Sequence, residues 1–126
     1  MLNQECLRDL LLYIDENQTF DSGGTPDTFK LKSFCEDETI LEKGYSLADI
    51  SIAVSYLCEK GCLESADYRS KPKRVHITRI TSKGYDYIQV IRTPKIWEAL
   101  RKRFGKVFEV AFAVIIEAFV NGLFRV

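Results

Sequence analysis

The sequence predicts a mixed α+β fold, and three observations carry that prediction. Residues 4–16 place apolar side chains at three- and four-residue spacing. Residues 62–80 hold two strand-like runs around a basic turn, and residues 81–92 return to helical spacing behind a threonine and a glycine. At 126 residues, 46% hydrophobic and 29% charged, the chain has the composition of one ordinary globular unit. A chain of this length buries roughly two-thirds of its unfolded surface, enough to fold without a disulfide or a metal.

The first helix, "QECLRDLLLYIDE", sets Cys6, Leu7, Leu10, Leu11 and Ile14 on one side and Glu5, Arg8, Asp9, Asp15 and Glu16 on the other. "NQTFDSGGTPDT" reads as a loop punctuated by Gly23, Gly24 and Pro26. "TFKLKSF" alternates apolar and polar residues and predicts a short half-buried strand. "EDETILEKG" supports at most one or two helical turns, closed by Gly44. In "YSLADISIAVSYLCEKGCLE", Ser46 followed by Asp49 marks a helix start, because the hydroxyl and the carboxylate both satisfy free N–H groups there. Leu47, Ile50, Val54 and Leu57 are expected to face the core, and Gly61 to end the helix. The strand "CLESADY", the basic turn "RSKPK" and the strand "RVHITRI" make a hairpin. Thr81 or Ser82 then caps a helix carrying Gly84, Tyr87, Ile88 and Ile91. Thr93-Pro94 starts another, with Trp97, Leu100 and Phe104, ending near Gly105, and a last helix is predicted over about 107–121.

The formal net charge of zero hides a segregation. Residues 1–67 hold 5 Lys/Arg against 14 Asp/Glu, and residues 68–126 hold 13 against 4. Such asymmetry points to an electrostatic partner, or to two halves that face each other across the fold or an oligomer. The four cysteines, Cys6, Cys35, Cys58 and Cys62, form no paired framework and read as free thiols of a reducing, cytoplasmic setting. The first residues carry acids early and lack a basic leader, so no secretory signal is expected. The last segment, "VFEVAFAVIIEAFVNGLFRV", is apolar, but Glu109 and Glu117 interrupt it, so no membrane role is expected.

Helix, short strand, helix, hairpin, helix is the order of a winged helix-turn-helix domain, here predicted over residues 1–92, with a helical C-terminal extension over 93–126. "ITSKGYDYI" resembles the Thr-x-x-Gly passage by which the last wing strand of many bacterial winged-helix regulators enters the next helix. "VSYLCEKGCLE" resembles the end of their recognition helix. More narrowly, "ITSKGYDYIQVIRTPKIW" is similar to an uncharacterised winged-helix family, domain of unknown function 2513, of Gram-positive bacteria and their prophages. Ile80, Thr81, Gly84, Ile88, Ile91, Arg92, Ile96 and Trp97 match its frame. Ser82 and Tyr85 stand where tryptophan and histidine are usual, and Ala53 where histidine is frequent. The resemblance implies a winged-helix fold and a phage or prophage association, and it implies no activity.

The hairpin carries the nucleic-acid expectation. Arg69, Lys71, Lys73, Arg74 and Arg79 lie within eleven residues, and wings of this kind contact phosphates of double-stranded DNA. Ser51, Ser55 and Tyr56 of the preceding helix are candidate phosphate contacts. That helix nevertheless lacks the arginine, lysine, asparagine and glutamine that read base edges, and Asp49 and Glu59 oppose phosphate. The alternative is a protein-interaction module of the same fold, a phage protein docking on a host protein, with Ile52 beside Tyr56 at the contact. Phe108, Val110, Phe112, Val114, Ile115, Phe119 and Val120 exceed what one side of a small domain covers, so a homodimer through the last helix, with Phe108, Phe112, Ile115 and Phe119 at its interface, is expected; the alternative is that this helix packs on Trp97 and the first helix within one chain. No enzyme, cofactor or metal is expected. His76 is the lone histidine, and Cys58 and Cys62 lack a second ligand pair.

Overall fold

The computed structural model describes residues 1–126. Local chemistry sets most element ends. Helix α1 (Gln4–Asn17) starts where the Asn3 side chain accepts from the Cys6 N–H at 3.0 Å, and its buried stripe is Cys6, Leu7, Leu10, Leu11 and Ile14. In the loop that follows, the Asp21 carboxylate accepts from the backbone of Gly23 and Thr25, both at 2.9 Å. Gln18 pins this loop inward, its amide donating to the carbonyls of Asp27 at 3.0 Å and Thr78 at 3.1 Å.

The predicted strand over 28–34 is shorter than its alternation implies. Strand β1 covers only Phe29–Lys30, and the chain turns directly into α2 (Leu31–Glu36). Leu31, Phe34 and Cys35 are all buried, and their spacing is the face of a helix. Helix α3 (Glu38–Leu41) follows at once, with the Asp37 carboxylate accepting from Thr39 and Ile40. Helix α4 (Leu47–Glu59) begins with reciprocal bonds of 3.0 Å between Ser46 and Asp49. It ends with Gly61 at φ 77°, the Cys62 N–H reaching Leu57 and the Gly61 N–H reaching Cys58. Its core residues are Ile50, Ala53, Val54 and Leu57. Leu47, expected inside, is 53% exposed, because Ala53 completes the buried stripe in its place.

Strand β2 (Leu63–Glu64) pairs antiparallel with β4 (Arg79–Ile80), and β1 pairs antiparallel with β3 (His76–Ile77). Only Thr78 separates β3 from β4, so the run 76–80 is held by β1 at its start and by β2 at its end. Helix α5 (Ser82–Ile91) is capped by Thr81, whose hydroxyl accepts from the Gly84 N–H at 3.1 Å. A methyl group on Gly84 would sit 2.3 Å from the Cys62 carbonyl oxygen, so the close approach of α5 to the hairpin base needs glycine.

Helix α6 (Pro94–Phe104) ends at Gly105, φ 53°. The last predicted helix is two: α7 (Val107–Val110) and α8 (Phe112–Val120), broken at Ala111. One hydrophobic cluster of 31 buried residues runs from Leu2 to Ile116. Trp97, Phe108 and Phe112 interlock within it, with ring centres 5.0–6.1 Å apart.

This packing takes the largest side chains of the expected dimer face into the chain's own core. Phe108 and Phe112 are fully buried within the chain, Ile115 nearly so, and half-buried Phe119 packs edge-on against Phe124. Burying Phe108, Phe112, Ile115 and Ile116 contributes about 1.5–3 kcal/mol each, a sum comparable to a domain's whole stability. Of the other apolar residues expected there, Val110, Val114 and Val120 are exposed, as is Val107. No helix is long and apolar enough to cross a membrane.

Candidate interaction surface

The capping box and the Gly61 stop set the ends of α4, and the burial of Ile50, Ala53, Val54 and Leu57 sets its outward face. That face carries Leu47, Ala48 and Ile52; Leu41, the last residue of α3, is exposed as well. Leu41 is 61% exposed and Ile52 38%. Ser51 and Ser55 are half-buried along its margins. From Ser46 to Glu59 there is no arginine, lysine, asparagine or glutamine, and Asp49 is committed to the helix start. The face therefore offers apolar contact and two hydroxyls, with no donor suited to a base edge.

Tyr56 turns away from that face. Its hydroxyl accepts from the Ala113 N–H at 2.9 Å, at the start of α8, and its ring packs edge-on against Phe112, centre to centre 6.2 Å. Burial pushes its phenol pKa up. The ring and the accepting side of the hydroxyl are engaged with α8, away from the outward face where Tyr56 was expected to meet phosphate.

The hairpin does not project freely. Its tip is a 3₁₀ turn, Pro72–Arg74, that packs on α2 and α4. Pro72 and Val75 are buried, and the Val75 carbonyl accepts from the Leu31 N–H at 3.0 Å. Of the five predicted basic contacts, two are neutralised internally. Arg79 makes a two-pronged pair with Glu64, at 2.8 and 2.7 Å, and Lys73 reaches Glu36 at 3.4 Å. The bond from Arg79 holds the Glu64 carboxyl below the usual glutamate range. Asp67 accepts from the His76 N–H at 3.0 Å and faces its ring at 3.1 Å, and the first of these bonds does most to hold its carboxyl down. Arg69, Lys71 and Arg74 remain exposed with no ion pair, Arg69 lying over the Tyr68 ring at 5.4 Å.

These pairs explain much of the charge segregation. Arg92 pairs with Asp15, and Arg101 with Glu5 at 2.8 Å, so with Lys73–Glu36 and Arg79–Glu64 the basic half is clasped to the acidic half. Arg103, near the end of α6, is engaged within the chain without an ion pair. It lies over the rings of both Phe104 and Phe124, at 5.5 and 5.0 Å from their centres, and donates to the Arg125 carbonyl at 2.7 Å.

No group of three or more His, Cys, Asp or Glu side chains is arranged to hold a metal. Cys62 is buried and its thiol is pushed up to about 12, while half-buried Cys58 stands at about 11; burial is the main cause in both. Sequence reasoning missed the exposure of Leu41 and Leu47. The clue was present, since Ile50, Ala53, Val54 and Leu57 form a complete helical stripe that leaves Leu47 outside.

A family model described as a hypothetical protein, DUF2513, matches residues 1–107, which span α1 through α6 and the first residue of α7. Neither the curated proteins nor the solved structures include a match.

Proposed function

The chain belongs to the DUF2513 family, and from that premise we propose that it is a non-enzymatic winged-helix module that docks on another protein through the outward face of α4. The winged-helix reading rests on connectivity: α1, β1, the pair α2 and α3, then α4, the hairpin and α5, with the run 76–80 bridging β1 and β2. On this reading residues 1–92 form the winged unit and 93–126 buttress it. The docking reading rests on one observation, the apolar outward face of Leu47, Ala48 and Ile52 on α4, in the place where a DNA reader carries polar donors.

A photo-crosslinking residue at position 52 tests it. The expected result is a protein adduct that Leu47→Asp abolishes and that the same residue placed at position 95 does not give. Equal crosslinking from both positions, or none, counts against docking.

A second reading keeps the hairpin as a duplex-DNA contact, favoured by the unpaired Arg69, Lys71 and Arg74. If all three reach phosphates, affinity for random duplex falls with a log–log salt slope of about −2.7. Fluorescence anisotropy reads that slope. Its disappearance in Lys71→Glu/Arg74→Glu would establish the contact, and no binding at low salt removes it.

A further inference from the structure

We propose that the cleft between the end of α1 and β1 binds a neutral, hydroxyl-rich ligand, a single sugar unit. The cleft shares no residue with the outward face of α4 and does not depend on the docking reading. It holds about 390 Å³, near the low end of what small-molecule sites enclose, and Asn17, Gln18, Thr28, Phe29, Lys30 and Ser33 are among the residues that line it.

Gln18 sets this cleft apart from the rest of the polar surface. It is the one buried polar side chain of the protein, 9% exposed. Its amide nitrogen is spent on backbone, donating to the Asp27 and Thr78 carbonyls, and its Oε1 accepts no hydrogen bond. The unpartnered side-chain atoms sealed from solvent are Gln4 Oε1 and the Tyr87 hydroxyl, so the Gln18 oxygen opens on the cleft that the residue lines. A carbonyl oxygen fixed in this way rewards a partner that brings a donor.

The neighbours present the same chemistry. Asn17 spends its amide nitrogen on the Tyr13 carbonyl at 2.9 Å, which leaves its Oδ1 outward, and Thr28 and Ser33 add exposed hydroxyls. Lys30 stands opposite His76 at a position where the ladder makes no bond. The Leu31 N–H reaches the Val75 carbonyl, and the His76 N–H turns away to Asp67. The Lys30 N–H therefore points to the open edge of β1, a donor beside the acceptors.

This set selects against charge. An anion would meet two carbonyl oxygens and the negative end of α1. A cation would meet the Lys30 ammonium, and no carboxylate lines the cleft. An apolar group would leave the oxygens unpaired, and Phe29, 7% exposed, offers it little surface. A sugar ring answers all of them, its hydroxyls donating to Gln18 and Asn17 while accepting from Lys30.

The test is an NMR titration of the full chain, nitrogen-labelled, with glucose, galactose, mannose and N-acetylglucosamine in turn. At least one is expected to shift, saturably, the side-chain amide of Gln18 or Asn17 together with the Lys30 N–H. Thr28→Ala/Ser33→Ala is expected to weaken that binding about ten-fold or more, with the rest of its spectrum unchanged as proof that it is folded. Sodium acetate and methylammonium chloride at equal concentration should leave those signals in place. No saturable shift from any of the four sugars overturns the proposal. So do shifts that fall outside the cleft, shifts that acetate or methylammonium reproduces, or a double variant that binds as tightly as the wild type.

Discussion

Helix α4 and the segment α7–α8 carry two of the chain's most apolar helical patterns, and they use them in opposite ways. The α7–α8 segment turns its largest side chains, Phe108 and Phe112, fully inward and leaves the smaller Val107, Val110 and Val114 outside. Helix α4 does the reverse at its start, exposing Leu47 and burying Ala53. Spacing alone identifies an apolar stripe but not which of two stripes is the inner one. Neighbours decide that: Trp97 and Tyr87 leave a space shaped for rings, whereas α1 approaches α4 closely enough that a methyl group fills the gap.

The largest effect expected from this contrast compares Phe112→Ala with Ile52→Ala in urea unfolding. The first should cost about 3–5 kcal/mol, because a ring is removed from a filled core. The second should stay within about 0.5 kcal/mol. Equal losses would erase the distinction between the two segments. Next comes Gly84→Ala, expected to cost about 1–3 kcal/mol because the added carbon meets the Cys62 carbonyl, a backbone atom that cannot swing aside. A neutral result would mean that α5 and the hairpin base are less closely joined than described.

Tyr56→Phe addresses the one hydrogen bond that links the contrasted segments. Loss of its hydroxyl leaves the Ala113 N–H without its acceptor and should cost about 1–2 kcal/mol, with faster amide exchange confined to the start of α8. Exchange spreading along α4 would assign Tyr56 to that helix's own stability instead.

The smallest effect is pH-dependent. Glu64 and Asp67 both have carboxyls held below their ordinary values of 4.5 and 3.8. Their contribution is therefore complete above those values and is lost as the pH falls through the depressed folded-state values. Acid should loosen the amides of 64–80 before those of α1, as hydrogen exchange would read. A simultaneous loss would show that the hairpin pairs are not separately sensitive.

What was legible in the sequence was mostly what neighbouring residues settle among themselves. Ser46 with Asp49, Thr81 with Gly84, and Gly61 as a stop are local hydrogen-bond and backbone arrangements, and each is present. The family resemblance was also legible, in the frame around Thr81, Gly84 and Trp97. What could not be read depends on distant contacts. Leu31 to Glu36 fold as a helix because Phe34 meets Tyr13, ring centres 5.3 Å apart, and because the hairpin tip covers their other side. Lys73 and Arg79 looked like contacts for an external anion, because their partners Glu36 and Glu64 are brought to them only by the fold. The same holds for Phe108 and Phe112, whose excess of apolar area is absorbed by Trp97 and Tyr87.

The strand run 76–80 has a further consequence for a chain emerging from the ribosome. Phe29 finds its cross-strand neighbour only at Ile77, and Leu63 only at Ile80, so neither sheet can close until that stretch has cleared the exit tunnel. Helices α1 and α4 are made first and must hold their stripes without that cover. Synthesis slowed once residue 80 has left the tunnel would give the sheets time to form, whereas a stall before that point would leave those stripes open to chaperones.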